Sequence, residues 1–436
     1  MKIGLIAMSG VRVMTPELAE LGITLPQFVN RGKVIASLPS LGLLTVAALT
    51  PDDVEVVYLE VAEVGPNALD ELGMFDLVGI SSFTAQIDEA YLLADRYRAV
   101  GVPVVLGGLH VSLMPDEAAQ HADSIVLYGA EGAWPKLMDD FRKGRMQSRY
   151  EGLRKGVFDD AAYVMPRFEL LRGRPYNRLT VQTSRGCPLR CEFCAASLRI
   201  TSGFQQKPVE KAVNEIRAAL AVTEHPFFEL ADDNTFINKR WGKEFLRAIV
   251  PLGINWFTET DISVADDDEL VELLAESGCR QILIGLESPL GDDLTGIDPA
   301  NWKQKQSAHY LDAIEKIQAH GVTVNGCFIL GLDGHTPAIF EQLKDYIDRS
   351  GLLEVQITVA TPFPGTPYWS RLKEEGRLLQ DRYWDRCTLF DVNFRPLGMT
   401  VEQLEEGMRW LFGEIYNERE YARRQRQYME IVKNRM

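Results

Sequence analysis

Short apolar, β-prone runs alternate with stretches of helical spacing along most of this chain. In the first third, Lys2–Met8, Val54–Leu59, Leu77–Ser81, Val102–Leu106 and Ser124–Leu127 read as strands, with helices near Leu41–Leu49, Asp88–Ala99 and Asp116–His121. That alternation predicts an α/β domain over residues 1–140, a Rossmann-like, doubly wound parallel sheet. A charged helix (Lys136–Lys143) and the breaks at Met165-Pro166 and Arg174-Pro175 mark 141–176 as a linker.

A second alternation follows over 177–370. Its strands are Leu179–Thr183, Phe227–Ala231, Asn255–Thr258, Gln281–Leu286, Val322–Leu330 and Val355–Ala360. Helical patterns at Pro208–Val222, Lys239–Val250, Asp267–Ser277, Tyr310–His320 and Ala338–Ser350 separate them. Strand–helix repeats of this number suggest a barrel, whose chemistry sits at the C-terminal strand ends. The rest, 371–436, reads as helices with a start at Met399-Thr400-Val401-Glu402. Its basic stretch Arg419–Arg426 reads as a solvated helix face, or as a contact for an anionic surface.

Composition narrows the function. The chain has 436 residues, 46% hydrophobic and 25% charged, as an ordinary globular protein does. A net charge of −16 argues against general nucleic-acid binding, which needs surplus Lys and Arg. No apolar run is long enough to span a membrane, and the apolar start is too short for a signal peptide. Of the six cysteines, three are clustered and Cys279, Cys327 and Cys387 are scattered, which is not a disulfide framework. A reducing, cytoplasmic location is expected.

The clustered cysteines carry the chemistry. Cys187, Cys191 and Cys194 stand in C-x3-C-x2-C spacing on a loop after an apolar strand. Three thiolates at that spacing suit three irons of a cubane and leave the fourth iron open. A zinc site is the alternative, but it needs a fourth ligand, and the nearest candidates downstream are His225 and Cys279. With its Arg185-Gly186-Cys187-Pro188 entry and Phe193 before the last cysteine, the stretch resembles the radical S-adenosylmethionine (SAM) superfamily. The resemblance implies a [4Fe-4S] cluster on these cysteines, SAM on the open iron, and an open six-unit barrel. It also implies an external electron donor such as flavodoxin or ferredoxin.

Polar residues close the predicted barrel strands. They are Asp232 and Asp233 after the second, Glu259 after the third, Gly285 and Glu287 at the fourth, and Leu330 and Gly331 at the fifth. The resemblance makes these, with the backbone of Phe193, the SAM contacts. Helix capping by Asp233 or Asn234 is the plainer alternative.

In the N-terminal domain the strand ends carry Ser9-Gly10, Ser81-Ser82-Phe83-Thr84, Gly107-Gly108 and Gly129-Ala130-Glu131. Each pair alone is an ordinary turn. Together with Ser37–Leu43 and His110, they resemble the cobalamin-binding domain that precedes many radical SAM domains. One departure stands out: the Asp-x-His-x-x-Gly signature, which places a histidine beneath cobalt, is missing, because Ser9–Met14 contains no histidine. Cobalamin without a histidine under cobalt is therefore expected, with Phe83–Gln86 below that face. His110 either faces the nucleotide tail or is a surface or capping residue.

The C-terminal part resembles the extension of the group that includes the hopanoid and bacteriochlorophyll methylases. The implied function is methyl transfer to an unactivated carbon of a small-molecule or lipid-like substrate. A 5′-deoxyadenosyl radical would remove hydrogen there, and methylcobalamin held across the domain interface would supply the methyl group. Rearrangement, cyclisation, oxidation or carbon–carbon coupling without methyl transfer, or a non-catalytic sensor, are the rival readings. The methylthiotransferase branch is disfavoured, because no cysteine precedes Cys187.

Overall fold

The computed structural model describes residues 1–10, 13–16, 18, 38–196, 199–223 and 227–435. Val11 and Arg12 after the first strand, Ser37 at the head of Ser37–Leu43, and His225 lie outside the described residues. By internal contacts the chain divides into two units. One comprises Met1–Arg12, Ala36–Gly186 and Ala195–His225; the other comprises Val13–Ile35, Cys187–Cys194 and Pro226–Met436.

The first unit contains the expected parallel sheet. Strands β1 (Lys2–Met8), β2 (Glu55–Val61), β3 (Leu77–Ser81), β4 (Val104–Gly107), β5 (Ser124–Leu127) and β6 (Arg149–Glu151) lie in the order β2-β1-β3-β4-β5-β6. All neighbours pair in parallel. Ile3, Leu5, Ile6, Leu77 and Val104 are fully buried, which is why these strands read as unbroken apolar runs. The strand order reverses beside β1, and ligands of doubly wound sheets settle at such a point. β6 falls in the segment expected to be a linker: only Tyr150 of its residues is buried, so no apolar run marks it.

The helix Leu41–Ala48 starts where the Ser40 hydroxyl accepts the Leu43 N–H, and it buries Leu43, Leu44 and Ala47. After β7 (Leu179–Val181), the two-residue strands β8 (Ser184–Arg185) and β9 (Gln205–Gln206) pair antiparallel.

In the second unit β10 (Phe227–Leu230), β11 (Asn255–Thr260), β12 (Cys279–Glu287), β13 (Thr323–Leu330) and β14 (Glu354–Val359) run parallel in chain order. They are the later strands of the expected open (β/α) barrel, each within two residues of its predicted bounds. Helices Lys239–Ile249, Asp268–Glu276, Tyr310–Ala319 and Ile339–Ser350 connect them. Asn238 caps the first of these and Asp267 the second, each accepting an N–H of the opening turn.

The C-terminal helices are built into this unit. Val401–Ile415 opens with a capping box of Thr400 and Gln403 and turns Gly407 against the Phe340 ring, where any Cβ would collide. The Tyr416 hydroxyl accepts the Ile357 N–H at 3.0 Å and donates to the Val355 carbonyl at 3.1 Å. Arg424, on the helix Glu418–Arg435, is 1% exposed and donates to the carbonyls of Leu353 at 3.1 Å and Ile415 at 2.9 Å. Arg423 pairs with Asp348. The basic stretch is therefore not simply a solvated face: two of its arginines are spent on the protein itself, while Arg419 stays exposed.

Candidate cofactor sites

Cys187–Cys194 turns sharply. Gly186 has φ +85° and Arg190 φ +56°, the left-handed region that costs a side-chain-bearing residue energy. The loop is clamped at Glu192. Its N–H donates to the Ile297 carbonyl at 2.9 Å, its carbonyl accepts the Tyr368 N–H at 3.1 Å, and its carboxylate takes Arg371 at 2.7 and 3.3 Å. Arg371 also holds Asp333 at 2.7 Å. Cys191 is buried, while Cys187 and Cys194 are half-buried.

The thiols suit a cationic iron centre. Burial pushes Cys191 up to about 12, against a pull from Lys303, and burial likewise raises Cys187. Thiols this hard to ionise become thiolates when metal displaces the proton. Among the described residues, no three His, Cys, Asp or Glu side chains are grouped to hold a single metal ion. A cubane seats each thiolate on a different iron and so takes a wider donor set than zinc does. Cys279 and Cys387 are buried and Cys327 is half-buried, in keeping with small hydrophobes.

Carboxylates crowd the ends of β10 and β11. Asp232 is buried and accepts the Thr235 hydroxyl at 3.0 Å. Glu259 reaches solvent at the end of β11. Desolvation, with the charges of Glu229, Asp233 and Asp232, pushes its carboxyl up to about 8. A cationic ligand would relieve that repulsion. Asn234 donates to Asp261 at 2.8 Å and accepts the Thr260 hydroxyl at 3.0 Å.

At the end of β12 lies a pair that sequence reasoning missed in part. Glu287, with φ +65°, meets the Lys303 ammonium at 2.6 Å, and Lys303 also donates to the Gly285 carbonyl at 2.7 Å. A Cβ on Gly285 would lie 2.4 Å from the Glu287 carboxylate and 2.9 Å from that ammonium. Burial acts to lower the Lys303 pKa, but Glu287 and Cys191 carry it above the ordinary lysine value. Lys303 opens the helix Trp302–Ser307, where Asp298 accepts its N–H. A lone lysine among polar residues gives no signal in sequence. Leu330 and Gly331 are placed differently from the others: Leu330 is fully buried, and Gly331 faces the side chains of Phe394 and Leu404. Phe193 is half-buried.

In the first unit a cavity of about 190 Å³ opens at the strand ends. Ser81, Gly107, Gly108, Gly129 and Glu131 line it, together with Leu43, Val46, Trp134 and Arg185. Gly108 (φ +109°) brings its backbone against the Ser81 hydroxyl, which a Cβ would meet at 3.2 Å. Glu131 holds Arg185 at 2.9 Å, and both lie against Gly129. Ser9, Gly10, Ser82 and Phe83 are not among the lining residues. The Ser9 carbonyl accepts the Gln86 amide, Ser82 donates to the Phe83 carbonyl at 2.8 Å, and Phe83 is 62% exposed.

His110 does not line the cavity either, nor is it a surface residue. It is fully buried, with Nδ1 3.1 Å from the Thr84 hydroxyl and Nε2 3.7 Å from the Glu117 carboxylate. It is the second residue of the helix Leu109–Leu113 and is buried with Val111 and Ser112.

Comparison with known proteins agrees with this arrangement. Residues 181–347 match the Radical SAM superfamily, 29–137 the B12 binding domain, and 366–436 a domain of unknown function, DUF4070. Bacteriochlorophyllide d C-12(1)-methyltransferase of Chlorobaculum tepidum is 27% identical over 89% of this chain and 84% of its own. Hopanoid C-2 methylase of Rhodopseudomonas palustris is 26% identical over 80% of this chain and 67% of its own. Among solved structures, the radical SAM methyltransferase TsrM of Kitasatospora setae, with cobalamin and [4Fe-4S] cluster bound, superposes with a TM-score of 0.63. It shares 16% identity and covers 86% of this chain and 75% of its own, a likeness of fold. The strand-end carboxylates, the three-cysteine loop and the apolar cavity thus lie in a chain that belongs to the radical SAM superfamily and carries a B12-binding domain ahead of its radical SAM domain.

Proposed function

We propose that this protein is a cobalamin-dependent radical SAM methyltransferase that adds a methyl group to an unactivated carbon of a small-molecule or lipid-like substrate. The reading rests on one observation above all: the same chain holds a clamped three-cysteine loop beside clustered carboxylates and, in its other unit, an apolar cavity at parallel-strand ends. When bound, the cluster with SAM supplies a radical able to take hydrogen from carbon, and cobalamin supplies the methyl carrier.

The protein's own residues bind and orient. Cys187, Cys191 and Cys194 hold the cluster, and the Arg371 clamp on Glu192 keeps their loop in place. Asp232 and Asp233 offer negative charge to the SAM amino and sulfonium groups, Glu259 adds to it once ionised above neutral pH, and Glu287 with Lys303 fixes the neighbouring strand end. Gly107, Gly108 and Gly129 let a cofactor tail approach the backbone. Functionally we read 1–140 for cobalamin, 177–370 for cluster and SAM and 371–436 as extension, while 141–176, expected as a linker, adds β6 to the first sheet. Thiolate ligands favour a reducing cytoplasm and a donor such as flavodoxin or ferredoxin.

The test uses SAM labelled in its methyl group. Extracts of cells lacking the protein serve as substrate source, with the anaerobic, cobalamin-loaded enzyme. A labelled product one methylene heavier than its precursor, formed with equal amounts of S-adenosylhomocysteine and 5′-deoxyadenosine, supports the reading. Deoxyadenosine without label in any product sinks methyl transfer.

A further inference from the structure

Glu192, the residue after Cys191, borders a depression of about 330 Å³ in the second unit. Asp292, Asp293, Asp333, Tyr368 and Arg371 line it as well. None of Asp232, Asp233, Glu259, Gly285 or Glu287, the strand-end groups read as serving SAM, is among its lining residues.

The charge of this depression is one-sided. Its four carboxylates meet a single guanidinium, Arg371, which Glu192 and Asp333 already share. Asp293 lies 3.2 Å from Nε2 of the buried His335, whereas the exposed Asp292 has no ion pair among the described residues. Tyr368 is 3% exposed, and its hydroxyl has no hydrogen-bond partner among the described residues, although Arg371 lies over its ring at 5.3 Å. A buried hydroxyl left in that state is costly until an incoming group satisfies it.

The rim is open and partly apolar. Asp292, Thr295, Gly296 and Gly334 are exposed on it. Two exposed leucines flank it. The Leu290 carbonyl accepts the Asp293 N–H at 3.2 Å, and Gly398, next to Leu397, packs on the carbonyl of His335.

We infer that this face receives the protein that donates the electron to the cluster, and that it selects a donor whose contact surface is basic. The inference rests on the radical SAM reading above and deepens it. Glu192 is covalently joined to Cys191, so a donor seated here stands on the loop that holds the cluster. The donor is oxidised by one electron, and the cluster is reduced by it. Complementary charge acts mainly by steering the encounter, and electron-transfer partners manage with small, weak interfaces. Leu290 and Leu397 supply apolar contact at the edge of the acidic centre.

The test follows cluster reduction in the anaerobic full-length protein by loss of visible absorbance. Three reductants are compared: dithionite, a photoreduced ferredoxin with an acidic contact face, and the same ferredoxin with lysines replacing those carboxylates. The lysine form should reduce the cluster about tenfold faster than the acidic form at low salt, and high salt should erase the difference. Asp292→Lys combined with Thr295→Lys should reverse the order of the two ferredoxins. Leu397→Ala should slow both ferredoxins and leave dithionite unchanged. An acidic form at least as fast as the lysine form in the unaltered protein overturns the inference. So does an order that the double substitution leaves in place, or a Leu397→Ala variant that slows neither ferredoxin. If dithionite finds no cluster to reduce, the assignment of the cluster to the loop cysteines falls and takes the inference with it.

Discussion

Lys303 and Glu287 form a buried ion pair at 2.6 Å beside the end of β12, with side-chain exposures of 10% and 8%. The pair sets the left-handed turn at Glu287 and leaves Gly285 no room for a side chain. Lys303→Met strands the carboxylate and should lower stability by about 3–5 kcal/mol. Calorimetry checks this: Glu287→Gln added to Lys303→Met should restore part of the loss, and strictly additive losses would contradict a coupled pair.

Iron should follow the loop cysteines and no others. Replacing Cys187, Cys191 and Cys194 by Ala should abolish cluster absorbance in protein reconstituted without oxygen, whereas Ala at Cys279, Cys327 and Cys387 should leave iron content unchanged. Full iron in the loop triple variant would move the centre elsewhere.

SAM affinity should rise with pH. Glu259, raised to about 8, is mostly protonated at neutral pH and ionises above it. A cationic ligand prefers the ionised form, so its dissociation constant should fall roughly eightfold between about pH 7 and pH 8.5. The sign for stability is opposite. The native state holds this proton while the unfolded chain has released it, so the ligand-free protein loses stability as pH rises from about 4.5 to about 8 and then levels off. Glu259→Gln should flatten the affinity profile, and titration calorimetry across that range would expose an unchanged slope.

No histidine should reach cobalt. Among the described residues the cavity is lined by none, and the His110 ring is engaged with Thr84 and Glu117. Paramagnetic resonance of the cob(II)alamin form should lack nitrogen splitting, and His110→Ala should leave the spectrum unchanged. Splitting removed by that substitution would show the ring swings out.

Much of this was legible in the chain. Parallel strands covered on both faces announce themselves as apolar runs, and β3 and β5 match their predicted bounds to the residue. Three cysteines on one loop need no tertiary contact to be noticed. What stayed hidden depends on distant partners. Lys303 becomes special only because the fold brings Glu287 to it. Tyr150 alone is too little to mark β6, and Arg424 looks solvated until Leu353 and Ile415 present their carbonyls. His110 follows a conspicuous Gly-Gly pair, yet the helix that begins there carries its ring inward.

The hydroxyl of Tyr416 and the guanidinium of Arg424 bear on more than local packing. β14 is the last strand on its side of the sheet, and a bare outer strand offers backbone donors and acceptors to any passing chain. Tyr416 occupies the N–H of Ile357 and the carbonyl of Val355, and Arg424 takes the carbonyl of Leu353 just before the strand. The terminal helices thus act as a guard against self-association. Protein cut after residue 400 would expose a β-edge ready to template aggregates, so shortening this chain endangers its solubility before its chemistry.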